Sequence, residues 1–118
     1  TEQQRVRCLQ LIADGQAPSG GWGAYLTSPT EPFDTALVLL ALAPLRETPD
    51  LPPGSLSADD LDAALRRGRA FLLDEQLDDG SWAETTRPPG QQSYAQYIST
   101  TGWATLALLE TRALGVGP

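Results

Sequence analysis

The sequence predicts an all-α fold of two helical hairpins, four main helices in all. Three observations lead there. Apolar residues recur at helical spacing in four segments, Gly- and Pro-rich stretches separate those segments, and no segment reads convincingly as a strand.

The first helix is predicted between Glu2 and Asp14, where Val6, Leu9 and Ala13 carry the spacing and Gly15 provides a stop. Residues 15–33 are rich in Gly and Pro and read as a long loop. Asp34 is placed to cap a second helix whose residues Ala36 to Ala43 are apolar on every side, a composition that demands cover all round. Pro44 marks its end, with a final turn that can run on to Leu45 or Arg46. The linker, 47–56, carries Pro49, Pro52, Pro53 and Gly54. Ser57 followed by Asp60 resembles a capping box for the third helix. In that helix Leu61, Ala64, Leu65, Gly68, Phe71 and Leu72 form an amphipathic stripe, with Arg66, Arg67 and Arg69 off it. Residues 77–98 read as a second loop. Ser99 or Thr100 then caps a fourth helix that runs through Trp103, Leu106 and Leu109 to Gly115.

Composition bounds the chemistry. The 118 residues suffice for one domain and a real core. Net charge is −7, from 8 basic residues, all Arg, against 15 acidic ones. That balance argues against a nucleic-acid binder, which needs a basic face, and against an anionic membrane surface. The absence of His removes the commonest general base and zinc ligand, and the single cysteine, Cys8, precludes an internal disulfide. No apolar run approaches the roughly 18 residues of a spanning helix. No signal-peptide pattern opens the chain, so the expected location is cytoplasmic, although a leader already removed would leave no trace. The chain starts at Thr1 without a Met, as after processing or excision from something longer.

The decisive pattern is internal. Gln16, Gly20 and Trp22 share the spacing Gln-x-x-x-Gly-x-Trp with Gln76, Gly80 and Trp82, at an offset of 60. Each copy follows an amphipathic helix and precedes an apolar one, and Asp34–Leu42 aligns with Thr100–Leu108 at an offset of 66. The expectation is a single domain, 1–118, of two repeats, 1–46 and 57–115.

These residues resemble the QW repeat of the prenyltransferase and squalene-oxidosqualene cyclase family. Arg67, Gly68, Phe71, Leu72, Gln76, Gly80 and Trp82 stand at the motif's spacing. The first copy keeps Arg7, Leu11, Ile12, Gln16, Gly20 and Trp22, but has Cys8 where the motif prefers Gly. The resemblance implies a terpenoid cyclase-like α/α toroid of inner and outer helices, here in part only. It also implies that the motif couples adjacent outer helices and is not where chemistry occurs. Physically, glycine permits positive φ after an outer helix, Gln can satisfy backbone groups at a helix end, and Trp offers a flat surface for a neighbouring repeat.

None of the chemistries found on this architecture is intact. The Asp-x-Asp-Asp acid of proton-initiated cyclases has its closest match in Asp59, Asp60 and Asp62, with reversed spacing, at a helix start where acids meet the dipole favourably. The Asp-Asp-x-x-Asp magnesium motif is only superficially matched by Asp74, Glu75 and Asp78, which overlap the repeat motif. The zinc site of protein prenyltransferases needs His, and the Gly-Cys-Gly-Glu-Gln of thioester domains is not the context of Cys8. No catalytic residue, metal or cofactor is expected in this chain.

The loop from Ala83 to Ile98 is the best place for specific contacts, with Arg87, Gln91, Gln92, Tyr94, Gln96 and Tyr97, although the two tyrosines more simply anchor it. Thr101 and Trp103 could line an apolar cavity in a complete ring and are expected to be core here. Repeat arrays generally need about three or more units. The leading expectation is therefore a non-catalytic structural or interaction module whose edges pair with another copy or with further repeats. The alternatives are a fragment of a squalene-hopene type cyclase whose acid lies outside residues 1–118, and a carrier of an apolar isoprenoid ligand with a continuous cavity between inner helices. A solid core of Leu39, Leu40, Leu106 and Leu109 would remove the carrier.

Overall fold

The computed structural model describes residues 1–25, 28–48, 51–86, 90 and 93–115. It is all-helical: α1 (Glu2–Asp14), α2 (Pro32–Leu42), α3 (Ala58–Glu75) and α4 (Tyr94–Glu110), with short 3-10 turns at Ala43–Glu47 and Arg112–Gly115. Among the described residues there is no strand, and no helix is long and apolar enough to cross a membrane.

Helix α1 starts with a closed capping box. Thr1 Oγ1 accepts from the Gln4 N–H at 3.2 Å, and the Thr1 amino group donates to Gln4 Oε1 at 2.7 Å. None of its residues is buried; Leu9 and Ile12 lean on the core from outside. The N-cap of helix α2 lies three residues before the predicted one. Glu31, in extended conformation, is the N-cap and Pro32 occupies the first turn, so Asp34 lies inside the helix. Proline wins this position because its fixed φ suits the helix start and its missing N–H would have been unpaired there anyway. Pro44 ends the α-helical ladder, but the chain keeps turning as a 3-10 helix to Glu47.

In α3, Ser57 Oγ accepts the Asp60 N–H at 3.0 Å, and all six stripe residues are buried. Helix α4 begins earlier than the sequence suggested, at Tyr94. Ser93, extended at φ −146°, accepts the Gln96 N–H at 3.2 Å. The expected loop to Ile98 is thus shorter, and its last five residues are helix. At the other end the helix stops at Glu110, and a 3-10 turn carries the chain to Gly115.

Helix α2 packs against both α3 and α4. The core runs through Leu39, Leu42, Leu61, Leu65, Leu72, Trp82, Ala104 and Ala107, and each fully buried Leu contributes about 1.5–3 kcal/mol. Two arginines that the stripe left outside tie α3 to the end of α4. Arg69 donates to the Leu108 carbonyl at 2.6 Å and to Thr111 Oγ1 at 3.1 Å, while Arg66 donates to the Leu114 carbonyl at 2.7 Å. They satisfy carbonyls that a helix end leaves free.

Candidate functional site

The two Gln-x-x-x-Gly-x-Trp segments form the same hydrogen-bonded turn. In the first, Ala17 N–H donates to the Gly21 carbonyl (2.9 Å), Gly20 N–H to the Ala17 carbonyl (2.8 Å) and Gln16 Nε2 to the Gly20 carbonyl (2.9 Å). In the second, Leu77 donates to Ser81 (2.8 Å), Gly80 to Leu77 (2.8 Å) and Gln76 Nε2 to the Gly80 carbonyl (2.8 Å). Gly20 and Gly80 have φ of +94° and +91°, a region that disfavours a side chain.

Each Trp then fastens three elements. Trp22 Nε1 donates to the Ile12 carbonyl at 2.8 Å and Trp82 Nε1 to the Leu72 carbonyl at 2.7 Å, both in the last turn of the preceding helix. The Trp22 N–H donates to Thr35 Oγ1 at 2.9 Å, and the Trp82 N–H to Thr101 Oγ1 at 3.1 Å. Thr35 and Thr101 are related by the offset of 66 that aligned the following helices. It is thus the indole N–H that takes a helix-end carbonyl, whereas Gln closes its own turn.

The first turn also reaches α3. Gln16 Nε2 donates to the Ala64 carbonyl at 2.9 Å, and Arg67 donates to Gln16 Oε1 at 3.3 Å and to the Ala17 carbonyl at 3.0 Å. Gly68 admits this approach: a Cβ there would lie 2.8 Å from Leu39 Cδ2 and 2.9 Å from Trp22 Cζ3. Gly21 lies equally close to the Phe71 ring. A contact that sequence reasoning missed joins the loop after Trp82 to the start of α2, where Thr86 donates from its N–H (2.8 Å) and its hydroxyl (2.7 Å) to Glu31 Oε1. The Pro32 that follows Glu31 was the available signal for a special position there.

Of the loop residues singled out, Arg87, Gln91 and Gln92 lie outside the described residues. Tyr94 opens α4. The Tyr97 hydroxyl donates to Asp79 Oδ2 at 3.1 Å and also meets Ser81 Oγ. Ser81 Oγ donates to Asp79 Oδ1 at 2.5 Å and the Ser81 N–H at 3.0 Å. These donors, the Ser81 hydroxyl first, hold the exposed Asp79 carboxyl below the usual aspartate range.

Trp103 was expected in the core and is not. It is 41% exposed, with Leu106 at 40% and Leu109 at 51%. Leu39 is buried and Leu40 half-buried, so no solid core of Leu39, Leu40, Leu106 and Leu109 forms. Helix α2 likewise lacks cover all round, since Ala41 is exposed and Leu37 partly so. The reason is positional: the apolar far side of α4 has no element of the described chain against it. A second apolar surface, an open hollow of about 580 Å³, is lined by Leu11, Ile12, Trp22, Tyr25 and Val38.

The acids sit elsewhere. Asp59 and Asp60 are exposed in the first turn of α3, and Asp62 pairs with Arg46 at 3.1 Å. Asp74, Glu75 and Asp78 are exposed around the end of α3. No group of three or more ligating side chains is gathered among the described residues.

No family model matches the chain, and no solved structure matches it. It is 32% identical over 110 residues to Terpene cyclase/mutase ntnI of Nectria sp. That alignment takes in 89% of this chain but spans only 13% of the relative. The likeness is a terpene cyclase-like relationship at the level of family.

Proposed function

We propose that the chain is a terpene cyclase-like helical repeat module: two QW units of a partial α/α toroid that serve a structural or interaction role without catalysis of their own. The observation that carries this reading is the uncovered apolar side of α4, where Trp103, Leu106 and Leu109 stand in solvent on a helix whose other side is core. The placement of the acids supports it, because a carboxyl that protonates an alkene needs an apolar, water-poor setting, and Asp59 and Asp60 have water. The doubled turn, with Gln16, Gly20 and Trp22 answered by Gln76, Gly80 and Trp82, supports assigning these residues and Arg67, Gly68 and Phe71 to coupling of units. Binding of 8-anilinonaphthalene-1-sulfonate tests the uncovered face. The folded chain should bind the dye, and Leu109→Arg should weaken binding several-fold at unchanged near-ultraviolet circular dichroism. No dye binding, or binding indifferent to this substitution, would overturn the reading.

A second reading is favoured by the relative's name. Here the chain is part of a triterpene-type cyclase of the squalene-hopene kind, its catalytic acid lies outside residues 1–118, and Trp103, with Thr101 beside it, lines the wall for an apolar isoprenoid. Incubating the full-length gene product with squalene should then give cyclic hydrocarbons. An inert product whose complete sequence also lacks Asp-x-Asp-Asp would end this reading.

A further inference from the structure

Two polar side chains at the start of α4 do without the partners that such residues use elsewhere in this chain. Gln96 is the third residue of α4, after the N-cap Ser93. The third residue of α1, Gln4, closes a capping box by accepting from the Thr1 amino group at 2.7 Å. Gln96 donates its N–H to Ser93 Oγ at 3.2 Å, as the box requires, yet its Oε1 is buried and accepts nothing from Ser93 or any other described residue. Thr100, one turn on and 1% exposed, behaves likewise. Thr105 and Thr111 each donate their hydroxyl to the carbonyl four residues back, at 2.7 Å. The Thr100 hydroxyl makes no such bond to Gln96, and among the described residues its buried Oγ1 has no hydrogen-bonding partner.

A buried oxygen left without a partner costs more than a formed hydrogen bond returns. Both side chains have a local remedy within reach of a rotamer change, and both forgo it. Positions 96 and 100 lie on one face of the helix with Cβ atoms roughly 5–6 Å apart. Two oxygens that each bond one water at about 2.8 Å can stand up to about 5.6 Å apart.

We infer that a water molecule is bound between Gln96 and Thr100 on the buried side of α4. It donates to Gln96 Oε1, which can only accept, and accepts from the Thr100 hydroxyl, which can do either. Water is selected over a metal ion because both oxygens are neutral, and the described residues gather no cluster of the ligating side chains that a desolvated cation requires. Further along the same stripe, Ala104 and Ala107 are apolar, and Thr111 is satisfied by its own helix and by Arg69. The unmet groups of this stripe are thus confined to the first two turns, which the water ties together. The inference stands apart from the module reading, which concerns the uncovered side of α4.

Water-selective nuclear Overhauser spectroscopy on the purified chain tests this. Magnetisation should pass from water to the Thr100 methyl group with the sign of a long-lived, slowly tumbling complex. Gln96→Leu keeps the Thr100 hydroxyl and should abolish the transfer, which separates a bound water from relay through the hydroxyl. Urea denaturation gives a second readout. Thr100→Val and Gln96→Leu should each raise the unfolding constant about tenfold, and the double variant should recover most of that loss because no oxygen is left stranded. Absent transfer in the wild type, transfer that persists in Gln96→Leu, single variants no less stable than the wild type, or losses that simply add in the double variant would each overturn the bound water. The wild-type spectrum decides the matter even where a variant fails to fold.

Discussion

The indole of Trp22 lies directly against the backbone of α3 at Gly68, where a Cβ would stand 2.9 Å from Trp22 Cζ3. Glycine inside a helix ordinarily costs about 1 kcal/mol relative to alanine, so its presence in the buried stripe reflects this approach. Gly68→Ala should therefore lower stability by about 1 kcal/mol net, an overpacking cost of about 1–3 kcal/mol less the helix gain. Gly102 in α4 is the internal control, since a Cβ there meets nothing within 4 Å. Gly102→Ala should raise stability by up to about 1 kcal/mol. Urea midpoints that move in the same direction for both variants would contradict the packing account.

Thr35 is buried and holds Trp22 by accepting its N–H and donating to its carbonyl, at 2.9 and 3.3 Å. Thr35→Val keeps the shape and strands a buried N–H, which should cost about 1–3 kcal/mol. Thr101 makes the equivalent pair with Trp82 at 3.1 and 3.5 Å but is half-buried, so water can substitute. Thr101→Val should cost less than Thr35→Val in chemical denaturation. The reverse order would show that the second turn is the more tightly held.

Asp79 ionises more readily in the folded chain than in the unfolded one, because Ser81 and then Tyr97 donate to its carboxylate. The sign follows from proton linkage. Its contribution is complete above the ordinary aspartate value, about 3.9, and disappears as pH falls through the lower folded value. Asp79→Asn should flatten the acid limb of a melting-temperature profile below about pH 4. An unchanged acid limb would contradict the geometry of this cluster.

Much of the fold was legible because its strongest signals are periodic. The α3 stripe from Leu61 to Leu72 was readable residue by residue, since one face of that helix is apolar and the other charged. Helix starts were harder, because short polar residues compete for the cap. Asp34 looked like a cap until Pro32 claimed the first turn, and Ser93 was hidden by the polar and aromatic run from Tyr94 to Tyr97. The doubled turn was visible as spacing, but its cross-contacts were not. Glu31 with Thr86 and Arg69 with Thr111 join residues whose pairing depends on how α2, α3 and α4 pack. Hydrophobicity marked Trp103, Leu106 and Leu109 as apolar and could not say that nothing in the described chain covers them.

The most direct test of the central claim, that these residues form a repeat module without catalysis of its own, is to incubate the purified chain with squalene and analyse the hydrocarbons by gas chromatography with mass detection. Unchanged squalene is the predicted result. Cyclic products that disappear in the Asp60→Asn variant would contradict it, by showing that an acid exposed at the start of α3 does the chemistry assigned to residues outside the chain.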